Sequence, residues 1–151
     1  MHKDWKFLHI SMVVRDMEKA IDHFNGLGVG PFPPFLGGPE GMPVSDKTVR
    51  GKPSDYEMDL RYADGGMGGI ALELIQPIKG RSIYDDFLEE KGEGFHHLAF
   101  LVKDLDKETA EMEDRGFKVI QTGARPKARW AYFDTDKMNG GCVVELIQRE
   151  L

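Results

Sequence analysis

The chain has 151 residues, enough for one compact core or for two small modules sharing one. A hydrophobic content of 40% alongside 30% charged residues marks a soluble globular class, and a formal net charge of −6 argues against a nucleic-acid partner, whose phosphates want a basic face. The single cysteine, Cys142, leaves no internal disulfide. The charged start lacks the apolar stretch of a signal peptide, and no run nears the roughly 18 apolar residues of a membrane span, so a cytoplasmic location without a membrane partner is expected.

In chain order, residues 7–14 are apolar and β-rich and predict a strand. Asp16 can cap a helix in which Met17, Ala20, Ile21, Phe24 and Leu27 recur at three- and four-residue spacing, and Gly28 ends it. Strands are predicted near 29–32, 56–62 and 70–76. Residues 33–55 are rich in proline and glycine and have no period; such loops are usually functional or disordered, and this one reads as a lid over a site or as a surface insertion. Ser82 and Asp85 stand at capping-box spacing ahead of Ile83, Phe87 and Leu88, and Gly92 closes that short helix. The second half predicts a strand at 95–102, a helix at 105–115 followed by Gly116, and strands near 117–121, 130–133 and 143–148.

The two halves repeat each other. His9-Ile-Ser-Met-Val-Val-Arg-Asp16 matches His97-Leu-Ala-Phe-Leu-Val-Lys-Asp104 at an offset of 88 (97 − 9), which still holds at Gly28 and Gly116. Glu73-Leu-Ile-Gln76 is identical to Glu145-Leu-Ile-Gln148 at an offset of 72 (145 − 73), with Asp64, Gly68 and Gly69 matching Asp136, Gly140 and Gly141. The difference, 88 − 72 = 16, is the excess carried by the first half, inside 33–55. The expected organisation is a first βαβββ module at 1–80, a linker helix at 81–94 and a second βαβββ module at 95–151. The fold class is α+β, with a curved antiparallel or mixed sheet.

Strand alternation puts His9, Ser11 and Val13 on one face of the first strand and Leu8, Ile10, Met12 and Val14 on the other, which packs under the helix. By the repeat His97 shares the concave face with Ala99 and Leu101, while His96 falls on the helix-packing face. Glu73 and Glu145 alternate against leucine and valine, where an ionised carboxylate is costly unless paired or metal-bound. Singly, each of these residues would more often be structural; recurrence in both halves favours a metal site. Two imidazoles and two carboxylates suit Zn²⁺, Ni²⁺, Co²⁺, Mn²⁺ or Fe²⁺ and are too nitrogen-rich for Mg²⁺ or Ca²⁺.

These modules and this His/Glu/His/Glu set resemble the vicinal oxygen chelate superfamily, also called the glyoxalase fold, over nearly the whole chain. The stretch Phe87-Leu-Glu-Glu-Lys-Gly-Glu-Gly-Phe-His-His97-Leu-Ala-Phe and the end Gly140-Gly-Cys-Val-Val-Glu145-Leu are most similar to methylmalonyl-CoA epimerases. The resemblance implies that His9, Glu73, His97 and Glu145 bind the metal. Glu73 stands where those epimerases often carry glutamine and lactoylglutathione lyase (glyoxalase I) carries glutamate, and Asp134-Thr-Asp136 stands where they usually show His-Pro-Lys. The implied activity is that of a divalent-metal-dependent isomerase or epimerase. It would abstract a proton next to a carbonyl of a small-molecule substrate: an acyl-CoA, a glutathione adduct or another carbonyl compound. A lactoylglutathione lyase is the alternative. The complete ligand set argues against a metal-free binding protein like the bleomycin resistance proteins, and the fourth ligand disfavours a dioxygenase, which uses a 2-His-1-carboxylate set.

An epimerase-like base would lie in strand 56–62, where Glu57, Asp59 and Arg61 form the side expected to face the concavity, so Asp59 or Glu57 is the candidate. The glyoxalase-like alternative is Glu73 or Glu145. Lys47, Arg50, Lys52, Arg125, Lys127 and Arg129 could meet a substrate carboxylate or CoA phosphates. Each module holds half of the ligand set, so the site could close within one chain or across a dimer; exposed edge strands favour pairing, and a homodimer is expected.

Overall fold

The computed structural model describes residues 4–35, 43–137 and 141–150. In chain order its elements are β1 (Lys6–Val13), α1 (Met17–Gly26), β2 (Ser45–Val49), β3 (Lys52–Pro53), β4 (Glu57–Met67), β5 (Ile70–Lys79), α2 (Ile83–Lys91), β6 (Gly94–Val102), α3 (Leu105–Asp114), β7 (Val119–Arg125), β8 (Ala128–Phe133) and β9 (Val143–Arg149). A 3-10 turn at Thr135–Lys137 precedes β9.

The repeated motifs have local structural uses. Asp16 and Asp104 cap α1 and α3, accepting from Lys19 N at 3.1 Å and Lys107 N at 3.0 Å. A second free N–H of each helix is closed from the far end of the same half: Gln76 Oε1 accepts from Met17 N at 2.7 Å, and Gln148 Oε1 from Leu105 N at 2.9 Å. The Gln of each Glu-Leu-Ile-Gln therefore clamps a helix start onto a strand. The linker helix α2 begins with the capping box formed by Ser82 and Asp85.

All nine strands form one mixed sheet in the order β3-β2-β7-β8-β9-β6-β1-β5-β4. The β1–β5 and β6–β9 pairs are parallel, and β1 meets β6 antiparallel at the seam between the halves. Outside the sheet, α1 covers Ala63, Leu72 and Leu74, and α3 covers Ala131, Phe133 and Leu146. Burying each of the larger of these side chains contributes about 1.5–3 kcal/mol. The linker helix lies on the inner side, where Ile83, Tyr84 and Leu88 join Met58, Leu60, Trp130 and Tyr132 in one cluster. Since β4 and β8 lie on opposite sides of the seam, this shared cluster requires the sheet to curve around it.

Three expectations are corrected. Residues 29–32 form no strand: Pro31, Pro33 and Pro34 lack the N–H that a ladder needs, and the segment makes a single bridge, Pro34 to Arg61. Residues 33–55 are not free of regular structure, because β2 and β3 form a hairpin there. Its two turn residues, Arg50 and Gly51, both have positive φ (48° and 74°), the sign that matches strand twist in a two-residue turn. The hairpin extends the edge of the other half: Thr48 meets Thr122 with hydroxyl oxygens 2.7 Å apart, and Arg50 N donates to Ile120 O. The remainder of the expected lid, 36–42, lies outside the described residues.

The third correction concerns faces. In the β1–β6 ladder Ser11 pairs with His97 and the next residue, Met12, with Phe95, so His96 is the extra residue of a bulge. The bulge lets His96 and His97 both reach the inner side, against the expectation from simple alternation. A second shift in the ladder, between Phe7 and His9, leaves Leu8 packed on the inner cluster as well.

Candidate metal centre

His9, Glu73, His97 and Glu145 occupy four adjacent strands, in the order β9-β6-β1-β5, and all four side chains are buried in one chain. Glu73 Oε2 lies 3.3 Å from both His9 Nε2 and His97 Nε2. Glu145 Oε2 lies 3.5 Å from His9 Nε2 and 3.3 Å from His97 Nε2. The two Nε2 atoms are 3.3 Å apart. Despite these distances neither carboxylate oxygen has a hydrogen-bond partner, and both are buried. His9, Glu73 and His97 form a group whose ligand atoms all lie within 4.8 Å of one another, a geometry that could hold a metal ion. Ser11 Oγ, on the same face of β1, is also buried without a partner.

Each imidazole is fixed from behind. Tyr62 Oη and His9 Nδ1 share a short hydrogen bond. His96 Nδ1 and His97 Nδ1 are 2.9 Å apart. With these nitrogens engaged, Nε2 of both rings is left to face the carboxylates. Tyrosines frame the centre in parallel ways: Tyr62 pairs with Glu73 across β4–β5, and Tyr132 pairs with Glu145 across β8–β9. Their rings meet His9 and His97 edge-on, at 5.1 and 5.0 Å between centroids.

Electrostatics agree with a cation-seeking cluster. Burial opposes charging His9, but Glu73 and Glu145 outweigh it and push its pKa up to about 9. The same contest raises His97. Burial would raise the two carboxyls, yet the imidazoles hold both below the usual carboxylate range. In the metal-free centre the carboxylates thus favour protonated imidazole and the imidazoles favour ionised carboxyls, and a divalent ion would supply positive charge to the same carboxylates once the rings are neutral. His96 is pushed well below the ordinary histidine range by burial and by His97, so it is neutral. Burial, then the nearby glutamates, keep the Tyr62 and Tyr132 phenols protonated.

Above the carboxylates lies a small cavity of about 40 Å³, walled by Phe35, Met58, Leu60, Tyr62, Trp130 and Ile147. Rows of residues across β7, β8 and β9 lead from floor to mouth. Gln121, Tyr132 and Glu145 are in register, then Gly123, Trp130 and Ile147, then Arg125, Ala128 and Arg149. Phe35 closes the mouth, its ring 5.5 Å from Tyr62 and 5.4 Å beneath the Arg125 guanidinium.

The two base candidates of β4 are not in this cavity, and their expected placement is corrected. Met58, Leu60 and Tyr62 take the inner face, so Asp59 and Arg61 turn outward toward α1. Asp59 there accepts from Arg61 Nε at 2.8 Å and Nη2 at 3.0 Å, and Arg61 also reaches Glu18 of α1. Glu57 lies at the strand end beside Lys79, 3.7 Å away. The apolar side of β4 lines the cavity, while the buried ion pair serves the helix. Among the proposed cations, Lys47 donates to Tyr56 O, and Arg50 and Arg129 pair with Asp86 and Asp106; only Arg125 lines the cavity. Tyr62, His96 and Arg149 were missed. Tyr62 and Tyr132 had a signal, since each precedes its glutamate by a similar interval, 11 (73 − 62) and 13 (145 − 132) residues.

Fold and site together define the class. The family model for the Glyoxalase/Bleomycin resistance protein/Dioxygenase superfamily matches residues 8–134, and the chain belongs to that superfamily. It is 34% identical over 94 residues to the uncharacterized protein YqjC of Bacillus subtilis, a match spanning 61% of this chain and 67% of that protein. Its fold is shared with a hypothetical protein from Bacillus halodurans (TM-score 0.66, 21% identity, 99% of this chain and 97% of that one). It is shared too with the methylmalonyl-CoA epimerase of Mycobacterium tuberculosis (TM-score 0.63, 19% identity, 96% and 88%). A Streptomyces coelicolor methylmalonyl-CoA epimerase in complex with 2-nitronate-propionyl-CoA is similar to the same degree (TM-score 0.64, 20% identity, 97% and 98%).

Proposed function

We propose that this protein is a divalent-metal-dependent isomerase that removes a proton next to a carbonyl, in the manner of the epimerases it resembles. One observation carries the reading: two buried carboxylate oxygens without a hydrogen-bond partner face the same two imidazole nitrogens at the floor of an aromatic-walled cavity. An ion held by His9, Glu73, His97 and Glu145 would act there as a Lewis acid, stabilising negative charge on the substrate's carbonyl oxygen.

The protein's own groups do the proton work. Among the described residues the carboxylates lining the cavity are Glu73 and Glu145, so one of them is the base. The C–H bond breaks, the proton passes to the carboxylate, and the electron pair is delocalised onto the carbonyl oxygen. Glu73 and Glu145 come from opposite halves of the chain. Removal by one and return by the other inverts the carbon, which is epimerisation; return to the neighbouring carbon is the glyoxalase outcome. The apolar walls keep water from returning the proton at random. A lactoylglutathione lyase-type activity is the second reading, favoured by the glutamate at position 73.

The test is incubation of the metal-loaded full chain in deuterium oxide, with methylmalonyl-CoA and with the glutathione–methylglyoxal adduct. Deuterium is expected next to the carbonyl of one of them, and the product identifies epimerase or lyase. No exchange with either, in protein that also takes up no metal, would defeat the proposal in favour of a binding protein. Oxygen consumption with catechols would defeat it in favour of a dioxygenase.

A further inference from the structure

We propose that the row Arg125–Ala128–Arg149 binds an anionic group, a carboxylate or a phosphate, at the end of the substrate far from the carbon that loses its proton. The inference rests on reading the His/Glu floor as the reacting end. Arg125 on β7 is in register with Ala128 on β8, and Ala128 with Arg149 on β9. All three line the cavity. Two strand spacings, roughly 10 Å, separate the arginine backbones, and the methyl side chain between them leaves a notch that two guanidiniums flank.

The charge arrangement makes this a place that wants an anion. Arg50, Arg61, Arg81, Arg115 and Arg129 each face a carboxylate. Arg15 donates instead to Leu88 O, and among the described residues Arg125 and Arg149 have neither kind of partner, in a chain whose acids outnumber its lysines and arginines 26 to 20. Both line the cavity, and partial burial together with the Arg149 charge disfavours the charged form of Arg125. An anionic ligand would supply the counter-charge that the chain itself does not place there. Phe35 holds the Arg125 guanidinium over its ring within the same cavity lining.

The rows also act as a ruler. Arg149 is four residues beyond Glu145 on the same face of β9, about 13 Å along the strand. Arginine side chains leaning inward shorten this, so the anion lies several bonds from the reacting carbon. A small monofunctional carbonyl compound does not span the interval.

Two matched probe pairs test the proposal by calorimetric titration of the metal-loaded full chain. 2-Oxosuberate and 2-oxooctanoate have equal chain lengths and differ in a terminal carboxylate or methyl. Methylmalonyl-CoA and the methylmalonyl thioester of pantetheine differ in the phosphate-bearing end. In at least one pair the member with the additional anionic group should bind about tenfold tighter or more, the size expected of charge-assisted contacts. The responding pair tells carboxylate from phosphate. Arg125→Gln and Arg149→Gln should each reduce that preference and together abolish it, at unchanged metal content, with the member lacking the additional anionic group binding as in wild type. Lys127→Asn, which removes the same charge from the adjacent turn, should keep the preference. Absence of a preference in both pairs, or one that survives the double variant, would overturn the proposal. Metal analysis of the same samples separates the two readings: an arginine-dependent preference in protein that holds no metal would retain the anion site and sink the proposed function.

Discussion

The two halves of the molecule are alike at the floor of the cavity and unlike at its mouth. Below, each gives one histidine from its first strand, one glutamate from its last and one tyrosine opposite that glutamate. Above, the first half gives Phe35 and the second gives Arg125 and Arg149. The strands differ in the same way: the second half has a complete β7, whereas its counterpart in the first is reduced by prolines to one bridge. A metal ion is a symmetric ligand and tolerates duplicated donors. A substrate is not, and the halves diverge where the substrate would lie.

The harshest way to break the equality of the floor is to delete one donor. His97→Ala or His9→Ala should take metal content from about one ion per chain to near zero, with proton exchange lost at the same time, measured by plasma emission and deuterium incorporation. If one variant keeps a full metal complement, the halves do not contribute equally.

The next test asks which half supplies the base. Glu145→Gln and Glu73→Gln keep an oxygen donor and remove basicity, and at least one should lower kcat by about 10²–10⁴-fold. Asp59→Asn is the contrasting variant. It should leave exchange near wild type but lower unfolding free energy by about 3 kcal/mol in urea, because it leaves the buried Arg61 with only its longer contact to Glu18 as a carboxylate partner. A large loss of rate with full stability would return the base to β4.

Smaller effects should come from the residues behind the imidazoles, where the halves reach one end by different means. Tyr62→Phe and His96→Phe each remove one hydrogen bond from a ligand's Nδ1. Metal affinity should fall about 10–100-fold in each. An unchanged affinity in His96→Phe would mean that packing alone orients His97.

The smallest effect is that of pH. His9 is raised from 6.5 to about 9 in the metal-free centre, so its charge stabilises that form fully below 6.5 and ceases to do so as pH rises through about 9. Metal must displace the same proton, so its apparent affinity should climb over this window. Melting temperatures with chelator and with added metal should therefore separate as pH goes from 6.5 to 9. Parallel curves would show that the His9 proton is not in competition.

The repeat was legible in the sequence because it is written twice. Histidine at the start and glutamate at the end of each half recur with fixed neighbours, and strand alternation is enough to aim them at one side. The helix starts at Asp16 and Asp104 were legible for the same local reason, since a cap is a contact between residues three apart. What only the tertiary structure decided depended on register and on partners distant in the chain. Strand β4 alternates cleanly, but alternation does not say which side is in; that was settled by α1, whose Glu18 and packing face draw Asp59 and Arg61 outward. The bulge at His96 changes a face by inserting one residue, which no periodicity records. The β2–β3 hairpin is short and polar, and it is a strand pair only because β7 offers it an edge. The sequence by itself determined which side chains could hold an ion; the tertiary structure decided what stands around them, because a cavity wall is made by strands that meet only after the sheet has curved.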